Sequence, residues 1–252
     1  MPIEAVLFDL GDTLVDLGEG RGSYEERLLL RAGHVHDVLS GQGVAGLPER
    51  ALFAAALAED SEAQYHAALA ELRGIDIYTV MARFLARQGL SLSDELVEAA
   101  GAAYCVGSGG PSAPLRPGAR EVLQQLRAAG YRLGAISNTV QPARFMAESL
   151  ARRGLAAYFD AQVYSSEAGV AKPHPDIFRR ALDLLGVAAE AAVYVGDRLV
   201  ADIGGAHAAG LRGVLIEVGH RIERHATIVP DARIRELAEL PAVLLGLQGQ
   251  AR

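Results

Sequence analysis

Cysteine and lysine are scarce in this sequence, which has one residue of each among 252. The single cysteine, Cys105, cannot form an internal disulfide bond and cannot assemble a cysteine-based zinc site. A chain without internal disulfide bonds suits a reducing compartment, and we predict a cytoplasmic location. The single lysine is Lys172, so almost all of the positive charge is carried by arginine.

Runs of basic residues and long apolar segments are also missing. The formal net charge is −7 and the arginines are scattered, whereas nucleic-acid-binding proteins usually concentrate positive charge on one surface. Every apolar run is shorter than the ~20 residues that a transmembrane helix needs, and the acidic Glu4 stands where a secretory signal carries basic residues. We therefore expect no nucleic-acid partner, no membrane segment and no signal peptide. The sequence is compatible with a monomer or a homodimer.

Short apolar runs that end at polar residues predict the strands of a parallel sheet. These runs lie at residues 5–8, 131–136, 161–164, 192–195 and 213–216. Between the later strands, helical patterns that mostly end at a glycine predict helices at residues 117–129, 141–153, 174–185 and 200–209. Alternating strands and helices are typical of an α/β fold, and we predict a three-layer, Rossmann-like parallel sheet.

The segment between the first two predicted strands is too long to be a simple crossover, since it contains about a hundred residues without a strand pattern. Its helical periodicity predicts four helices, at residues 23–39, 48–72, 76–88 and 93–105. We therefore predict an all-helical cap domain at residues 18–112. The catalytic core is then formed by residues 1–17 and 113–252.

Polar residues follow several of the predicted strands, at the edge of the sheet where α/β proteins bind ligands. They are Asp9, Ser137 with Asn138, Lys172, and Asp197 with Asp202. Taken singly, Asp9, Ser137, Asn138 and Lys172 have ordinary explanations as turn, helix-cap or surface residues. The three aspartates together are harder to explain, because carboxylates at one strand edge repel each other unless a cation lies between them.

These residue types are suited to phosphoryl transfer, in which catalysis consists largely of positioning and charge neutralisation. Asp9 is the candidate nucleophile, which would form an aspartyl-phosphate intermediate. Mg²⁺ prefers oxygen ligands, and its candidate ligands are Asp9, the carbonyl of Gly11 and Asp197. Asp202 is expected to support either the metal-bound waters or Lys172.

The remaining polar groups are candidates for binding the phosphoryl group itself. We expect the hydroxyl of Ser137 and the backbone amide of Asn138 to bind a phosphoryl oxygen. Lys172 is expected to neutralise charge on both the phosphoryl group and Asp9. The sequence therefore predicts a Mg²⁺-dependent hydrolase that acts on a small phosphorylated metabolite.

In these motifs the chain resembles hydrolases of the haloacid dehalogenase superfamily that carry a helical cap after the first strand. The four motifs of that superfamily are matched, in order, by residues 8–14, Ser137-Asn138, residues 172–175, and Gly196-Asp197 with Asp202. The resemblance covers about residues 3–216. It implies the same fold, the aspartyl-phosphate mechanism and the use of Mg²⁺.

One position departs from the pattern of the superfamily's phosphatases. Two residues after the nucleophile, those enzymes usually carry a second aspartate, which protonates the leaving oxygen and later activates water. This chain has Gly11 there and a carboxylate one residue later, at Asp12. Asp12 either shapes the turn or, after a backbone adjustment, serves as the acid. Losing general acid catalysis costs roughly 10²–10⁴-fold in rate.

Two other functions stay open at this point. A chain with weak or no turnover would be a phosphate-ligand sensor or interaction protein, which is supported by Gly11. A 2-haloacid dehalogenase is less consistent with the sequence, because the resemblance implies that such enzymes have lost the carboxylate that Asp197 retains here. Arg21 and Arg27, near the start of the insertion, are candidates for binding an anionic substrate.

Overall fold

The computed structural model describes residues 2–18, 24–106, 113–219 and 225–249. Within these ranges, six strands form one sheet in the order β3-β2-β1-β4-β5-β6, and every neighbouring pair is parallel. The strands are β1 (Ala5–Phe8), β2 (Arg132–Ser137), β3 (Ala161–Tyr164), β4 (Ala192–Gly196), β5 (Arg212–Ile216) and β6 (Ala232–Ile234). Because β1 lies between β2 and β4, the residue that follows it emerges at the centre of the sheet edge.

The described helices are α1 (Tyr24–Gly41), α2 (Arg50–Ala70), α3 (Ile77–Arg87), α4 (Asp94–Val106), α5 (Ala119–Ala128), α6 (Ala143–Arg152), α7 (Ser165–Ala168), α8 (Pro175–Leu185), α9 (Gly205–Ala208) and α10 (Leu240–Gln248). Glycines end several of them as predicted. Gly130, Gly186 and Gly210 follow α5, α8 and α9 with positive φ angles, a conformation that glycine adopts without the steric penalty other residues carry.

Residues of β1 alternate between two hydrophobic clusters, one on each face of the sheet. Val6 and Phe8 pack with residues of α5 and α10, whereas Ala5 and Leu7 pack with residues of α8. Successive side chains of a strand point to opposite faces, so both faces of this sheet are covered by helices. The predicted three-layer α/β fold is confirmed.

The described part of the insertion, which lies between β1 and α5, forms four helices, α1 to α4, with a hydrophobic cluster of their own. The two connections to the core lie side by side. The backbone N–H of Asp16 donates to the carbonyl of Pro114 at 2.9 Å, and that of Arg116 donates to the carbonyl of Leu14 at 2.9 Å. The insertion therefore leaves and re-enters the core at one place.

The insertion also contacts the core at the carboxyl edge of the sheet. Three backbone hydrogen bonds run from Ala171 N to Leu72 O (2.9 Å), from Gly74 N to Gly169 O (3.1 Å) and from Ile77 N to Val140 O (2.8 Å). At Gly74, a Cβ atom would lie 1.7 Å from the carbonyl oxygen of Ser165, so only glycine fits this contact. The turn between α2 and α3 is thus fastened to the loops that follow β2 and β3.

The sequence-based assignment was wrong at residues 200–209, where it predicted one α-helix. The chain instead forms a π-helical turn at Leu199–Gly204 and then the short α9. The backbone N–H groups of Asp202 and Ile203 both donate to the carbonyl of Arg198, at 2.9 and 3.3 Å. Apolar periodicity over so few residues cannot distinguish these helix types.

The sequence analysis also missed β6 and α10. With three residues, β6 is too short to show the alternation that identifies strands. The apolar run within α10 belongs to the core, where Leu240, Leu244 and Leu247 join the cluster on the α5 face. None of the described helices is long and apolar enough to cross a membrane.

Candidate active site

Three aspartates from separate parts of the chain meet at the carboxyl edge of the sheet. Asp9 follows β1 and Asp197 follows β4, and these strands are neighbours with Phe8 paired to Val195. Asp202 comes from the π-helical turn after β4. All three are buried, and one ligand atom of each lies within 4.8 Å of the others. The structure thus brings together the acids that the sequence analysis grouped.

Lys172 lies among these carboxylates with its side chain only 4% exposed. Its Nζ donates to Oδ1 of Asp9 at 2.6 Å and to Oδ1 of Asp202 at 2.6 Å. The hydroxyl of Tyr194 lies 2.9 Å from the same Nζ, and the carbonyl of Ile136 lies 3.3 Å from it. The only lysine of the chain is therefore bound directly to the candidate nucleophile.

The electrostatics of the cluster follow from burial and from these pairs. Burial raises the pKa of Asp9 to about 6, since the attraction of Lys172 only partly opposes it and the charge of Asp202 adds to the rise. Burial also disfavours the charged form of Lys172. The attraction of Asp202 and Asp9 outweighs that effect, so the pKa of Lys172 lies well above its ordinary value.

The cluster has the donor set that a hard divalent cation requires. When Asp9, Asp197 and Asp202 are ionised, three negative charges lie together, and Lys172 pairs with Asp9 and Asp202. Carboxylate oxygens are the ligands that Mg²⁺ and similar cations prefer, and a cation offsets the repulsion from Asp202 that adds to the burial-driven rise in the pKa of Asp9. The residues present therefore fit a bound metal ion.

Asn138 is placed beside Lys172 by a pair of side-chain-to-backbone hydrogen bonds. Its Nδ2 donates to the carbonyl of Lys172 at 2.9 Å, and its Oδ1 accepts from the backbone N–H of Lys172 at 2.8 Å. The side chain thus holds the loop that carries the lysine, which the sequence analysis did not foresee. Ser137 is the last residue of β2 and is buried, next to the edge where Asp9 emerges.

Asp12 lies in a tight turn and binds the backbone. Its Oδ1 accepts from the N–H of Leu17 at 3.0 Å, and its own N–H donates to the carbonyl of Val15 at 2.7 Å. Its φ angle is +56°, in the left-handed region that aspartate tolerates better than most residues. The hydrogen bond from Leu17 N–H to Oδ1 of Asp12 is the contact expected if Asp12 shapes the turn.

Asp202 is held on several sides. Its Oδ2 accepts from the backbone N–H of Arg198 at 2.9 Å, while its Oδ1 accepts from Lys172. The carboxylate also packs against Gly196, where a Cβ atom would lie 2.4 Å from Cγ of Asp202. The glycine that precedes Asp197 is therefore required for this close approach.

Replacing Gly196 with alanine should displace Asp202 and lower the free energy of unfolding by about 1–3 kcal/mol, the usual cost of overpacking a well-packed interior. Thermal or urea unfolding measures the change. Gly219→Ala is the matched control, because a Cβ atom there has nothing within 4 Å. Equal stability of the two variants would contradict the expected displacement.

One side chain of the insertion lies close enough to the acid cluster to respond to its charges. The pKa of Tyr65, on α2, is raised to about 12, chiefly by burial, and the charges of Lys172, Arg198 and Asp9 also act on it. A tyrosine on a helix gives no sequence signal of such an interaction. The charges of the acid cluster thus act on a side chain of α2.

The structure describes one of the two arginines that the sequence analysis suggested for anion binding. Arg27 donates from Nη2 to the carbonyl of Leu17 at 3.3 Å, and its guanidinium lies 5.8 Å from the ring centroid of Tyr24. Arg27 therefore contacts the segment that enters the insertion. Arg21 lies outside the described residues.

Curated relatives match about half of this chain in sequence. A glyceraldehyde 3-phosphate phosphatase from Methanopyrus kandleri is 43% identical over 121 residues, which are 47% of this chain and 51% of that protein. A phosphoserine phosphatase from Thermus thermophilus is 39% identical over 127 residues, which are 50% of each chain. The matched segments span about half the length of these curated relatives.

Solved structures resemble the chain over nearly its whole length. A 2-haloacid dehalogenase from Pseudomonas syringae pv. tomato superposes with a TM-score of 0.71 at 26% identity, covering 97% of this chain and 99% of that one. A haloacid dehalogenase-type phosphatase from Thermococcus onnurineus gives a TM-score of 0.58 at 28% identity, covering 96% and 98%. Phosphatases and dehalogenases are thus both among the structural neighbours.

The family model described as haloacid dehalogenase-like hydrolase matches residues 3–210. This range contains Asp9, Ser137, Lys172, Asp197 and Asp202, the polar residues that follow the strands. The matched range is well over half of the chain. The chain therefore belongs to the haloacid dehalogenase-like hydrolase family.

Proposed function

We propose that the protein is a Mg²⁺-dependent phosphohydrolase that cleaves the phosphate monoester of a small metabolite. The observation that carries this proposal is the buried cluster in which Lys172 bonds directly to Asp9 while Asp197 and Asp202 lie within reach of the same ion. The names of the partial relatives, glyceraldehyde 3-phosphate phosphatase and phosphoserine phosphatase, support the same class of substrate.

In the proposed reaction, an oxygen of Asp9 attacks the phosphorus atom, and the alcohol oxygen leaves with the bonding electrons. The leaving oxygen takes a proton from Asp12, if Asp12 serves as the acid, or otherwise from water. Water then attacks the aspartyl-phosphate, so that inorganic phosphate forms and the Asp9 carboxylate is restored. Mg²⁺, held by Asp9, the carbonyl of Gly11 and Asp197, would neutralise charge on the phosphoryl oxygens. Asp202 anchors Lys172 through its hydrogen bond and lies beside that metal site.

The other contacts to the phosphoryl group come from the ends of the neighbouring strands. The hydroxyl of Ser137 and the backbone N–H of Asn138 would bind one phosphoryl oxygen. The Asn138 side chain has a different part, because it is bonded to the Lys172 backbone and holds that loop. The ammonium of Lys172 neutralises charge that develops in the transition state. We propose that the insertion, residues 18–112, acts as the cap that excludes water and selects the substrate.

Phosphate release from an aryl phosphate and from a panel of phosphorylated metabolites, with and without Mg²⁺, tests the proposal. The panel should include glyceraldehyde 3-phosphate and phosphoserine. Release that depends on Mg²⁺ is the expected result, and the metabolite with the highest kcat/KM identifies the substrate class. Absence of release from every compound would refute turnover.

Stabilisation of the fold by Mg²⁺ is expected to depend on pH. The pKa of Asp9 is raised from 3.8 to about 6, so without metal the folded state binds this proton more tightly than the unfolded chain does. The contribution of Asp9 to the free energy of unfolding therefore falls as pH rises through about 6. Mg²⁺ competes with the proton for the carboxylate, so it should raise Tm strongly above that pH and weakly below it.

Thermal unfolding with MgCl₂ or with NaCl at equal ionic strength measures this difference at about pH 5 and about pH 7.5. The NaCl series separates specific binding from screening of surface charges. An equal rise in Tm at both pH values would argue that Asp9 is not a metal ligand.

A second candidate function is a phosphate-ligand sensor that binds without efficient turnover, and Gly11 is the observation that favours it. Exchanging the two residues, with Gly11→Asp and Asp12→Gly, restores the usual order of the superfamily. The exchange suits the backbone, because position 12 has a positive φ and a Cβ atom at position 11 would meet only Cδ1 of the flexible Leu17, at 2.7 Å. Large activation would favour a sensor, whereas unchanged or reduced activity would favour a native catalyst that uses Asp12.

The single variant Asp12→Asn separates the two roles of Asp12. Asparagine keeps an oxygen that accepts from Leu17 N–H and tolerates positive φ, but it cannot donate an acidic proton. A turn-shaping role predicts activity within a few-fold of the wild type. An acid role predicts a loss of roughly 10²–10⁴-fold on substrates with poor leaving groups, measured as kcat on alkyl and aryl phosphates.

Dehalogenation is the third candidate. The structure named 2-haloacid dehalogenase superposes on this chain with a TM-score of 0.71, compared with 0.58 for the phosphatase from Thermococcus onnurineus. Halide release from a 2-haloacid without Mg²⁺ tests it. The presence of Asp197 in the buried acid cluster favours the metal-dependent reaction instead.

A further inference from the structure

We infer that Tyr194 is a positioning residue for the reaction, whose hydroxyl holds the ammonium of Lys172 in place beside Asp9. The inference rests on the proposed phosphohydrolase function. Tyr194 lies within β4 and is fully buried. Its hydroxyl bonds to Lys172 and to the carbonyl of Ile136, so we infer that it acts through the lysine.

The hydrogen bonds around Lys172 show what Tyr194 contributes. An ammonium group has three protons to donate, and two of them are directed to Asp9 and Asp202 at 2.6 Å each. The hydroxyl of Tyr194, at 2.9 Å, accepts the third, while the carbonyl of Ile136 lies farther away, at 3.3 Å. The same hydroxyl donates its own proton to the Ile136 carbonyl at 3.2 Å.

The phenol ring is itself fixed by packing. Its centroid lies 4.9 Å from that of Phe178 on α8, with an interplanar angle of 74°, an edge-to-face arrangement that aromatic pairs favour. Both rings are fully buried. The hydroxyl is therefore presented to Lys172 from a rigid part of the core rather than from a loop.

The role of Tyr194 becomes important when Asp9 forms its bond to phosphorus. In that step the oxygen of Asp9 changes from an anionic acceptor to part of an acyl phosphate, so its attraction for the Lys172 ammonium weakens. Asp202 and Tyr194 remain as side-chain acceptors and keep the ammonium near the phosphoryl oxygens. Without the Tyr194 hydroxyl, only Asp202 among these three side chains still binds the Lys172 ammonium.

Tyr194→Phe removes only the hydroxyl. We expect kcat to fall about tenfold, the size of one hydrogen bond to a charged group, with KM changed less than threefold. Tyr131→Phe is the matched control, because it also removes one tyrosine hydroxyl, which accepts from Nε2 of Gln248 at 2.8 Å just before β2, at the opposite edge of the sheet from Asp9. It should leave kcat within threefold of the wild type. A loss of kcat in Tyr131→Phe as large as that in Tyr194→Phe would overturn the inference.

The single lysine of the chain permits a direct test that does not require turnover. Protein grown with lysine labelled with ¹³C at Cε and ¹⁵N at Nζ gives one side-chain signal, that of Lys172. In Tyr194→Phe this signal should shift and its ammonium protons should exchange faster with water. An unchanged signal would overturn the inference even if phosphate release by Tyr194→Phe were reduced.

The two measurements also distinguish failure of this inference from failure of the proposed function. If the wild type releases no phosphate from any substrate, the hydrolase proposal fails, and the labelled lysine still shows whether Tyr194 holds it. If the wild type is active and Tyr194→Phe matches it in kcat, the positioning role fails while the hydrolase proposal stands.

Discussion

Asp9→Asn is expected to reduce phosphate release by roughly 10³-fold or more, because an amide oxygen cannot serve as the nucleophile of a two-step displacement. Asparagine has the same shape and keeps an oxygen that accepts from Lys172, which lies 2.6 Å from Oδ1 of Asp9 in the wild type. The fold should therefore persist. Steady-state phosphate release, with Tm measured on the same samples, checks both parts of the prediction.

Acid quenching provides a more specific measurement of the role of Asp9. Wild-type protein mixed with ³²P-labelled substrate and quenched in acid should retain radioactivity as an acyl phosphate, and Asp9→Asn should retain none. Asp37→Asn is the control, since Asp37 lies on the surface of α1 and pairs with Arg50. Activity in Asp9→Asn equal to that of the control would exclude Asp9 as the nucleophile.

Lys172→Met is expected to lower both activity and stability. Methionine fills a similar volume without charge, so it removes the cation that pairs with both Asp9 and Asp202 while these carboxylates stay buried beside Asp197. Removing one partner of a buried ion pair typically costs about 3–5 kcal/mol. The pair is nearly fully buried, so little of this cost is relieved by solvent. Urea unfolding at about pH 7.5 without metal measures the loss.

Lower pH or added Mg²⁺ should restore part of the stability that Lys172→Met loses, because each reduces the uncompensated negative charge of Asp9 and Asp202. Without the lysine, the pKa of Asp9 should rise further, so the folded variant binds a proton more tightly than its unfolded chain does. Its stability relative to the wild type is then higher at about pH 5 than at about pH 7.5. Mg²⁺ should also raise its Tm, because the cation replaces the missing positive charge.

The surface variant Arg73→Met is the matched control for charge removal, because Arg73 pairs with Glu71 where both side chains are largely exposed. Exposed pairs contribute little to stability, so its Tm should stay close to that of the wild type. A Lys172→Met protein as stable as Arg73→Met at neutral pH would show that the aspartates do not carry the charge proposed for them.

The sheet and the meeting of the acids could be predicted because both depend on local pattern and chain direction. Apolar runs identify buried strands, and the ends of parallel strands share one edge, so Asp9 and Asp197 had to emerge near each other. The repulsion expected among Asp9, Asp197 and Asp202 predicted a cation. The family model over residues 3–210 confirms the resemblance to haloacid dehalogenase-like hydrolases.

Other features depend on contacts between residues far apart in sequence, which no local pattern encodes. Tyr194 has the apolar neighbours of an ordinary strand residue, and its bond to Lys172 arises only after β4 and the loop beyond β3 pack together. The same is true of Asn138, whose side chain holds the Lys172 backbone.

Residue types at strand ends thus set the architecture and the acid cluster, since strand direction and burial follow from the order of apolar and polar residues. The partner of each polar atom depended on three-dimensional packing. Asp12 illustrates the difference: its sequence position was compatible with an acid or a turn residue, and folding directed its carboxylate to the N–H of Leu17. A hydrogen bond requires an approach of about 3 Å, and only the packed chain specifies distances that short.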